Sequence, residues 1–321
     1  MPVVAPTVEN LERAAGVLRA GGVVAIPTET VYGLAANAFD PSAAARIFEI
    51  KQRPAFDPLI VHVLDEPMLL RVVAELPAAA RRLTARFWPG PLTLVLPKCG
   101  AIPGIVTSGL ATVAVRMPSH PIARELLGRA NVPLAAPSAN PFGRLSPTRA
   151  EHVARMLGQR VDLIVDGGPC EHGVESTIVA FEPYPSILRP GAIEAAEIER
   201  VIGSLRIDSG GAAAPVAAPG RVAHHYAPRT PLRIVDRDAV PARERTRAGF
   251  LAFSSATSGY AHVRVLSPRA DLREAAARFF EALHELDGFG LARIDAEPLP
   301  ERGLGVAMMD RLRRAQNFAR S

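Results

Sequence analysis

Residues able to hold an anion beside a small polar molecule crowd into positions 22–62, GVVAIPTETVYGLAANAFDPSAAARIFEIKQRPAFDPLIVH. A short, partly β-branched run at 23–26, bounded by Gly22 and Pro27, reads as a buried strand. Thr28, Glu29, Thr30, Tyr32 and Gly33 follow it at once. An Ala-rich helical pattern opens at Pro41-Ser42, runs to Ile50, and delivers Lys51 and Arg53 at its end. Pro58 precedes a second apolar run at 59–63 that carries His62. Hydroxyls leave the first strand, cations leave the helix and an imidazole sits in the next strand. That order suits a bound polyanion with a small polar partner.

Further segments offer the same chemistry. Thr112 and Arg116 lie four apart on a predicted strand and therefore on one face. A guanidinium fork can grip two oxygens of a carboxylate or phosphate. Ser138 and Asn140 sit in the loop leaving a strand at 133–136, where open α/β sheets bind ligands. Ser176 and Arg189 belong to late strands, and His224, His225 and Tyr226 form a short aromatic patch. Each has an ordinary explanation by itself: a surface cation, a plain turn, a satisfied core histidine, a solvated linker. The argument rests on the set and its order. No GxxxxGK[ST], GxGxxG or GxSxG pattern is present, which disfavours an ordinary P-loop NTPase, dinucleotide enzyme or α/β-hydrolase.

The elements that must position these residues alternate. Helices are predicted at 8–19, 67–75, 78–87, 121–129 and from 149. Strands are predicted at 92–96, 112–116, 133–136, 161–165, 176–181 and 186–188. Interleaving argues an α/β fold, and the late cluster of strands argues a mixed sheet. Near residue 207 the composition changes to GGAAAPVAAPG, a linker-like stretch. Beyond it, strands at 232–235, 250–253, 263–266 and 291–294 and helices at 272–286 and 312–318 make a second, smaller α/β domain. The expected division is 1–206, a linker at 207–229, and 230–321.

The 321 residues are 48 % hydrophobic but only 5 % aromatic, so Ala, Val, Leu and Ile must build the core. A formal charge of +5 fits an anionic substrate or nucleic acid, and equally plain surface charge. The two cysteines, Cys99 and Cys170, make no disulfide framework and no zinc-site spacing, so no metal ligands are assigned. With no secretory leader pattern and no apolar span, the expectation is a cytoplasmic protein without membrane contact.

PTETVYGL, KQRP with PLIVHV, FWPGPLTLVL, VAVRMPSHP, APSANPFGRLSPT, DGG with GVESTIV, and LRPG resemble, in this order, the Sua5/YrdC/YciO family. APGRVAHHYAP and ERGLGVAMM resemble its long Sua5 form. The resemblance implies a twisted mixed-sheet YrdC-like domain with a central cavity, plus a smaller Rossmann-like C-terminal Sua5 domain. It implies synthesis of L-threonylcarbamoyladenylate from L-threonine, bicarbonate and ATP, with Mg²⁺ accompanying the nucleotide and pyrophosphate released. It further implies that the product passes to the tRNA threonylcarbamoyl-transfer machinery for t6A at adenosine 37, with tRNA or double-stranded RNA as a further partner. On this sequence it makes Lys51 and Arg53 the catalytic phosphate binders. Ala55, Thr112, Ser138, Asn140, Ser146, Arg189 and Tyr226 become further ATP contacts. Thr28, His62, Arg116, Ala136 and Ser176 become threonine contacts. The linker, with Tyr226, is expected to close over the nucleotide. Asp57 departs from the family pattern, standing where Asn is frequent, and receives no role.

Overall fold

The computed structural model describes residues 3–208 and 225–318. They form two compact units. The first holds residues 3–142, 147–170 and 175–208, and the second holds 143–146, 171–174 and 225–318. The two short segments lie inside the expected 1–206 span but pack within the second unit. There Ala227 N–H donates to Gly143 O at 2.8 Å, and Arg144 donates to Pro228 O at 3.3 Å. Gly173 lies so close to the Ala276 and Ala277 carbonyls that a Cβ would collide with them.

The first unit is built on eleven strands. They are β1 Val3–Val4, β2 Val24–Ile26, β3 Gly33–Asn37, β4 Ile60–His62, β5 Leu92–Pro97 and β6 Thr112–Arg116, then β7 Leu134–Ala135, β8 Leu163–Val165, β9 Thr177–Ala180, β10 Ser186–Arg189 and β11 Arg206–Ile207. Their order is β1-β8-β2-β3-β7-β4-β6-β5-β9-β10-β11. Parallel pairs such as β4·β6 and β5·β9 sit beside antiparallel ones such as β5·β6 and β9·β10, so the sheet is mixed.

Period-two alternation divides the central strands between two environments. Val61, Val113, Val115, Leu92, Leu94 and Leu96 join the main aliphatic core with helix Val8–Arg19 and helix Pro121–Ala130. Ile60, Ala114, Val95, Ile178, Ala180 and Leu188 form a separate small cluster on the opposite face.

Several expectations fail for visible reasons. The helix predicted at 67–75 is only Glu66–Leu69, capped by Asp65 accepting from Met68 N–H at 2.9 Å. The chain then extends, because Ala74 N–H bonds Pro97 O and Cys99 N–H bonds Val72 O, each at 2.9 Å. Strand β3 escapes prediction because GLAAN lacks β-branched residues. Helix Ala195–Ile202 escaped too, although Glu194 and Glu197 form its capping box.

In the second unit, β12 Leu232–Ile234, β13 Ala248–Ala252, β14 His262–Val265 and β15 Arg293–Ala296 make an all-parallel sheet in the order β12-β15-β13-β14. Asp271 caps helix Leu272–Asp287, which buries Ala275, Ala276, Phe279, Phe280, Leu283 and Leu286 along one stripe. The terminal helix is Leu304–Phe318 and starts eight residues before the predicted 312, because glycines at 303 and 305 mask its first turn. Among the described residues no helix is long and apolar enough to cross a membrane.

Gly191 follows β10 where a Cβ would run into the backbone of Glu175, Ser176 and Thr177. Those atoms belong to the chain and cannot rotate away as a side chain would. Gly191→Ala is expected to destabilise the protein by about 1–3 kcal/mol or more. A urea unfolding midpoint equal to that of the unsubstituted protein would contradict this.

Candidate active site

Helix Pro41–Lys51 starts on a firm cap: Asp40 accepts from Ser42 and Ala43 N–H, and Pro41 fills the first turn. It stops because Gln52 adopts the left-handed conformation, at φ 52°. That stop turns Lys51 inward. Its ammonium donates to Ser138 O at 2.6 Å and Asn140 O at 2.5 Å. Phe142 N–H returns a bond to Lys51 O at 2.8 Å. The helix end and the 138–142 loop are thus laced together, with Lys51 buried. Burial, with the nearby Arg53 charge, holds the Lys51 ammonium well below the usual lysine range.

Arg53 organises the next loop. Its Nε donates to Asp57 O and its Nη2 to Pro58 O, each at 2.9 Å. The same Nη2 stands 2.8 Å from Asp57 Oδ2 in a fully buried ion pair. Neither carboxylate oxygen of Asp57 has an aligned hydrogen-bond donor. Burial raises the Asp57 carboxyl above its usual range, opposed by Arg53, Lys51 and Arg189. Ala55 lies in this loop and is exposed.

The centre of the sheet supplies the other half. Register pairs His62 with Arg116 and Arg116 with Thr93, so the three share a row and a face. The next row on that face is Ile60, Ala114 and Val95, and Thr112 with Pro97 comes after it. Arg116 is held on three sides: Nε donates to Gly90 O at 3.3 Å, Nη1 to Thr30 Oγ1 at 2.7 Å, and Nη2 meets Glu29 Oε1 at 2.7 Å. Ser119 N–H also donates to Glu29 Oε1, at 3.1 Å. Burial works against ionisation of Glu29, but the Arg116 charge and these bonds outweigh it and lower the carboxyl to about 2. His62 is pushed down to about 3 by burial and by Arg116, so its ring is neutral, and its Nδ1 has no partner.

Thr28 closes a tight turn, donating to Val31 O at 2.6 Å and accepting from Thr30 and Val31 N–H. Thr93 Oγ1 and Ser176 Oγ are 2.7 Å apart. Arg189 donates to Ser176 O at 3.0 Å and to Ser176 Oγ at 3.1 Å. Ala136 N–H is held by Ile60 O at 2.8 Å. Hydrogen bonds thus link Thr93, Ser176 and Arg189 in a polar chain, and Thr93 pairs in register with Arg116, which Glu29 and Thr30 hold. The Arg189 charge in turn acts on Asp57.

Thr112 is set apart. It lines a pocket of about 150 Å³ with Val95, Pro97, Ala180 and Phe181, and contributes no atom to the polar chain. A larger hollow of about 310 Å³, beside Trp88, Thr84 and Met117, contains none of the predicted residues. Ser146 and Tyr226 fall in the second unit. Ser146 O meets His284 Nε2 at 3.1 Å. Tyr226 is buried, its ring 5.8 Å from Phe280 and 5.2 Å from the Arg311 guanidinium carbon. Of the expected linker at 207–229, residues 209–224, His224 among them, lie outside the described residues.

Two residues gained no role from the sequence. Glu29 is visible only as one polar residue in PTETVYG, and Asp57 only as a departure from a pattern. What signals them is burial beside an arginine, which no spacing reports.

Buried cations, hydroxyls and a neutral imidazole thus gather on a mixed α/β sheet. Residues 16–191 match the Sua5/YciO/YrdC family model, described as "Telomere recombination", and residues 193–316 match the threonylcarbamoyl-AMP synthase C-terminal domain. The chain belongs to the Sua5/YrdC/YciO family, in its long form. It is 43 % identical over 317 residues to the threonylcarbamoyl-AMP synthase of Pyrococcus abyssi, covering 95 % of this chain and 93 % of that one. It is also 43 % identical to the Bacillus subtilis threonylcarbamoyl-AMP synthase, with 95 % and 92 % covered. The crystal structure of P. abyssi Sua5 complexed with L-threonine superposes with a TM-score of 0.90 at 42 % identity, covering 97 % of this chain and 95 % of that one.

The buried Glu29–Arg116 pair sets a pH expectation. The folded carboxyl sits near 2, below its unfolded value, so the unfolded chain binds more protons between the two. Its stabilisation is complete above the unfolded value and is lost as pH falls towards 2. Glu29→Gln leaves Arg116 buried without its counter-charge, so a loss of about 3–5 kcal/mol at neutral pH is expected, with a shallower acid limb. Urea unfolding at several pH values checks both.

Proposed function

We propose that this chain is an L-threonylcarbamoyladenylate synthase, a nucleotidyltransferase that joins L-threonine, bicarbonate and ATP and releases pyrophosphate. The observation that carries this reading is the buried row of His62, Arg116 and Thr93, with Thr93 bonded through Ser176 to Arg189, whose charge acts on the Asp57 that Arg53 pairs with. It supports a carboxylate-binding role for Arg116 beside phosphate-binding roles for Arg189, Arg53 and Lys51. Family membership and two relatives bearing this activity in their names support it.

In this reading Arg116 takes the threonine carboxylate, with His62, Thr28, Ser176 and the backbone at Ala136 completing the subsite. A neutral His62 leaves the guanidinium as the single positive charge of its row. The apolar row Ile60, Ala114 and Val95 offers a flat floor for a base, with Thr112 at its far edge. Arg53, Lys51 and Arg189 face the phosphates, and Ser138 and Asn140 lie in the loop that Lys51 ties down. The threonine amine and bicarbonate give a carbamate, whose oxygen attacks the α-phosphorus as pyrophosphate leaves. Charge builds on phosphoryl oxygens, so the rate depends on cations already in position.

Among the described residues no group of three His, Cys, Asp or Glu could hold a metal. Mg²⁺ would enter on the nucleotide phosphates and water, as is usual for that ion. The product would be handed to the machinery that modifies tRNA in the cytoplasm.

Pyrophosphate release should require L-threonine and bicarbonate together. Turnover with either omitted would refute the assignment. Arg53→Ala is expected to lower that release by on the order of 10²-fold, since it removes a charge contact to the reacting phosphates. A site that bonds the threonine hydroxyl should also reject 2-aminobutyrate strongly. Comparable kcat/KM for the two amino acids would show that no such contact exists.

A further inference from the structure

Asp57 is the one acidic side chain of the Arg53 loop, and its place is unusual for a site that takes a polyphosphate. It is completely buried, and Arg53 Nη2 stands 2.8 Å from its Oδ2. Neither of its oxygens accepts an aligned hydrogen bond. The charged groups that act on it are Arg53 on its own loop, Lys51 at the helix end and Arg189 on β10, all cations. Without substrate, the carboxylate offsets part of a positive charge that would otherwise be buried alone. An arriving triphosphate reverses that balance. Its oxygens seek the same guanidinium, and each negative charge near a buried carboxylate favours the protonated acid.

We propose that Asp57 is the internal counter-ion of the phosphate subsite, and that it takes up a proton when the nucleotide's polyphosphate occupies that subsite. The proton comes from solvent, so carboxylate becomes carboxyl and no other bond changes. The proposal rests on the reading of Arg53 as a phosphate contact. It makes this chain's Asp57 functionally different from an asparagine of the same shape, which cannot exchange charge. Burial already biases Asp57 towards the neutral form before any ligand arrives. Lys51 is a second titratable group in the same cluster, because burial holds its ammonium below the usual range. The experiment must therefore separate the two.

Isothermal calorimetry of ATP binding to the full chain, without threonine so that no turnover occurs, does so. It is run near pH 8 in buffers of different ionisation enthalpy, for the unsubstituted protein and for Asp57→Asn. The unsubstituted protein should take up more protons per ATP than Asp57→Asn, by at least half a proton, with Lys51 accounting for whatever uptake both share. As a reading that needs no variant, ATP affinity of the unsubstituted protein should weaken as pH rises, by up to about tenfold per unit for one linked proton. Equal proton uptake in the two proteins, or an affinity indifferent to pH, overturns the proposal while leaving the phosphate subsite standing. Loss of ATP binding in Arg53→Ala, checked in the same calorimeter, supports the subsite on which the proposal rests. Unchanged ATP binding in that variant overturns both.

Discussion

The ammonium of Lys51, donating to two backbone carbonyls, is the contact on which the site depends. It fastens the end of a helix to the loop leaving β7, and both segments carry residues proposed to meet the nucleotide. A carbonyl pair can hold such a cation only if nothing else claims it, and burial removes water as the competitor. Because Gln52 turns the chain away directly afterwards, Arg53 enters the same region from another direction. One helix stop therefore decides the placement of two cations and of the loop that faces them.

The sheet imposes the complementary constraint. Its alternation gives one face to the aliphatic core and the other to the row of His62, Arg116 and Thr93. Arg116 cannot be moved by one position without turning it into the core. Its rigidity comes from Glu29, Thr30 and Gly90, which engage it from loops outside the strand. A guanidinium so fixed loses little freedom when it meets a carboxylate, which is what preorganised binding requires.

Much of this was legible in the sequence, and the reasons for success and failure are physical. Strand β6 was read to the residue because TVAVR alternates and is β-branched, and its Thr112 and Arg116 do share a face. The helix delivering Lys51 was read from its proline start and alanine run. At 70–75 the helical pattern loses to hydrogen bonds with the end of β5 and the residues just after it, partners that local sequence does not reveal. Lys51 looked like a cation pointing at substrate, whereas the structure gives it two carbonyls as well. Glu29 and Asp57 stayed silent because a carboxylate announces its role through what surrounds it, and those neighbours come from distant segments.

The eleven-strand sheet also has a colloidal consequence. A long row of unpaired backbone groups at a sheet edge invites another chain to add on. Among the described residues both edges are strands of two residues each, β1 and β11. A visiting strand would find only a couple of amides and carbonyls to pair with before the template ended. Beside β11, the Arg206 guanidinium also lies over the Tyr184 ring, so charge stands at that rim. Among the described residues, this wide and strongly aliphatic sheet thus ends on both sides in stubs that offer a growing chain a short template.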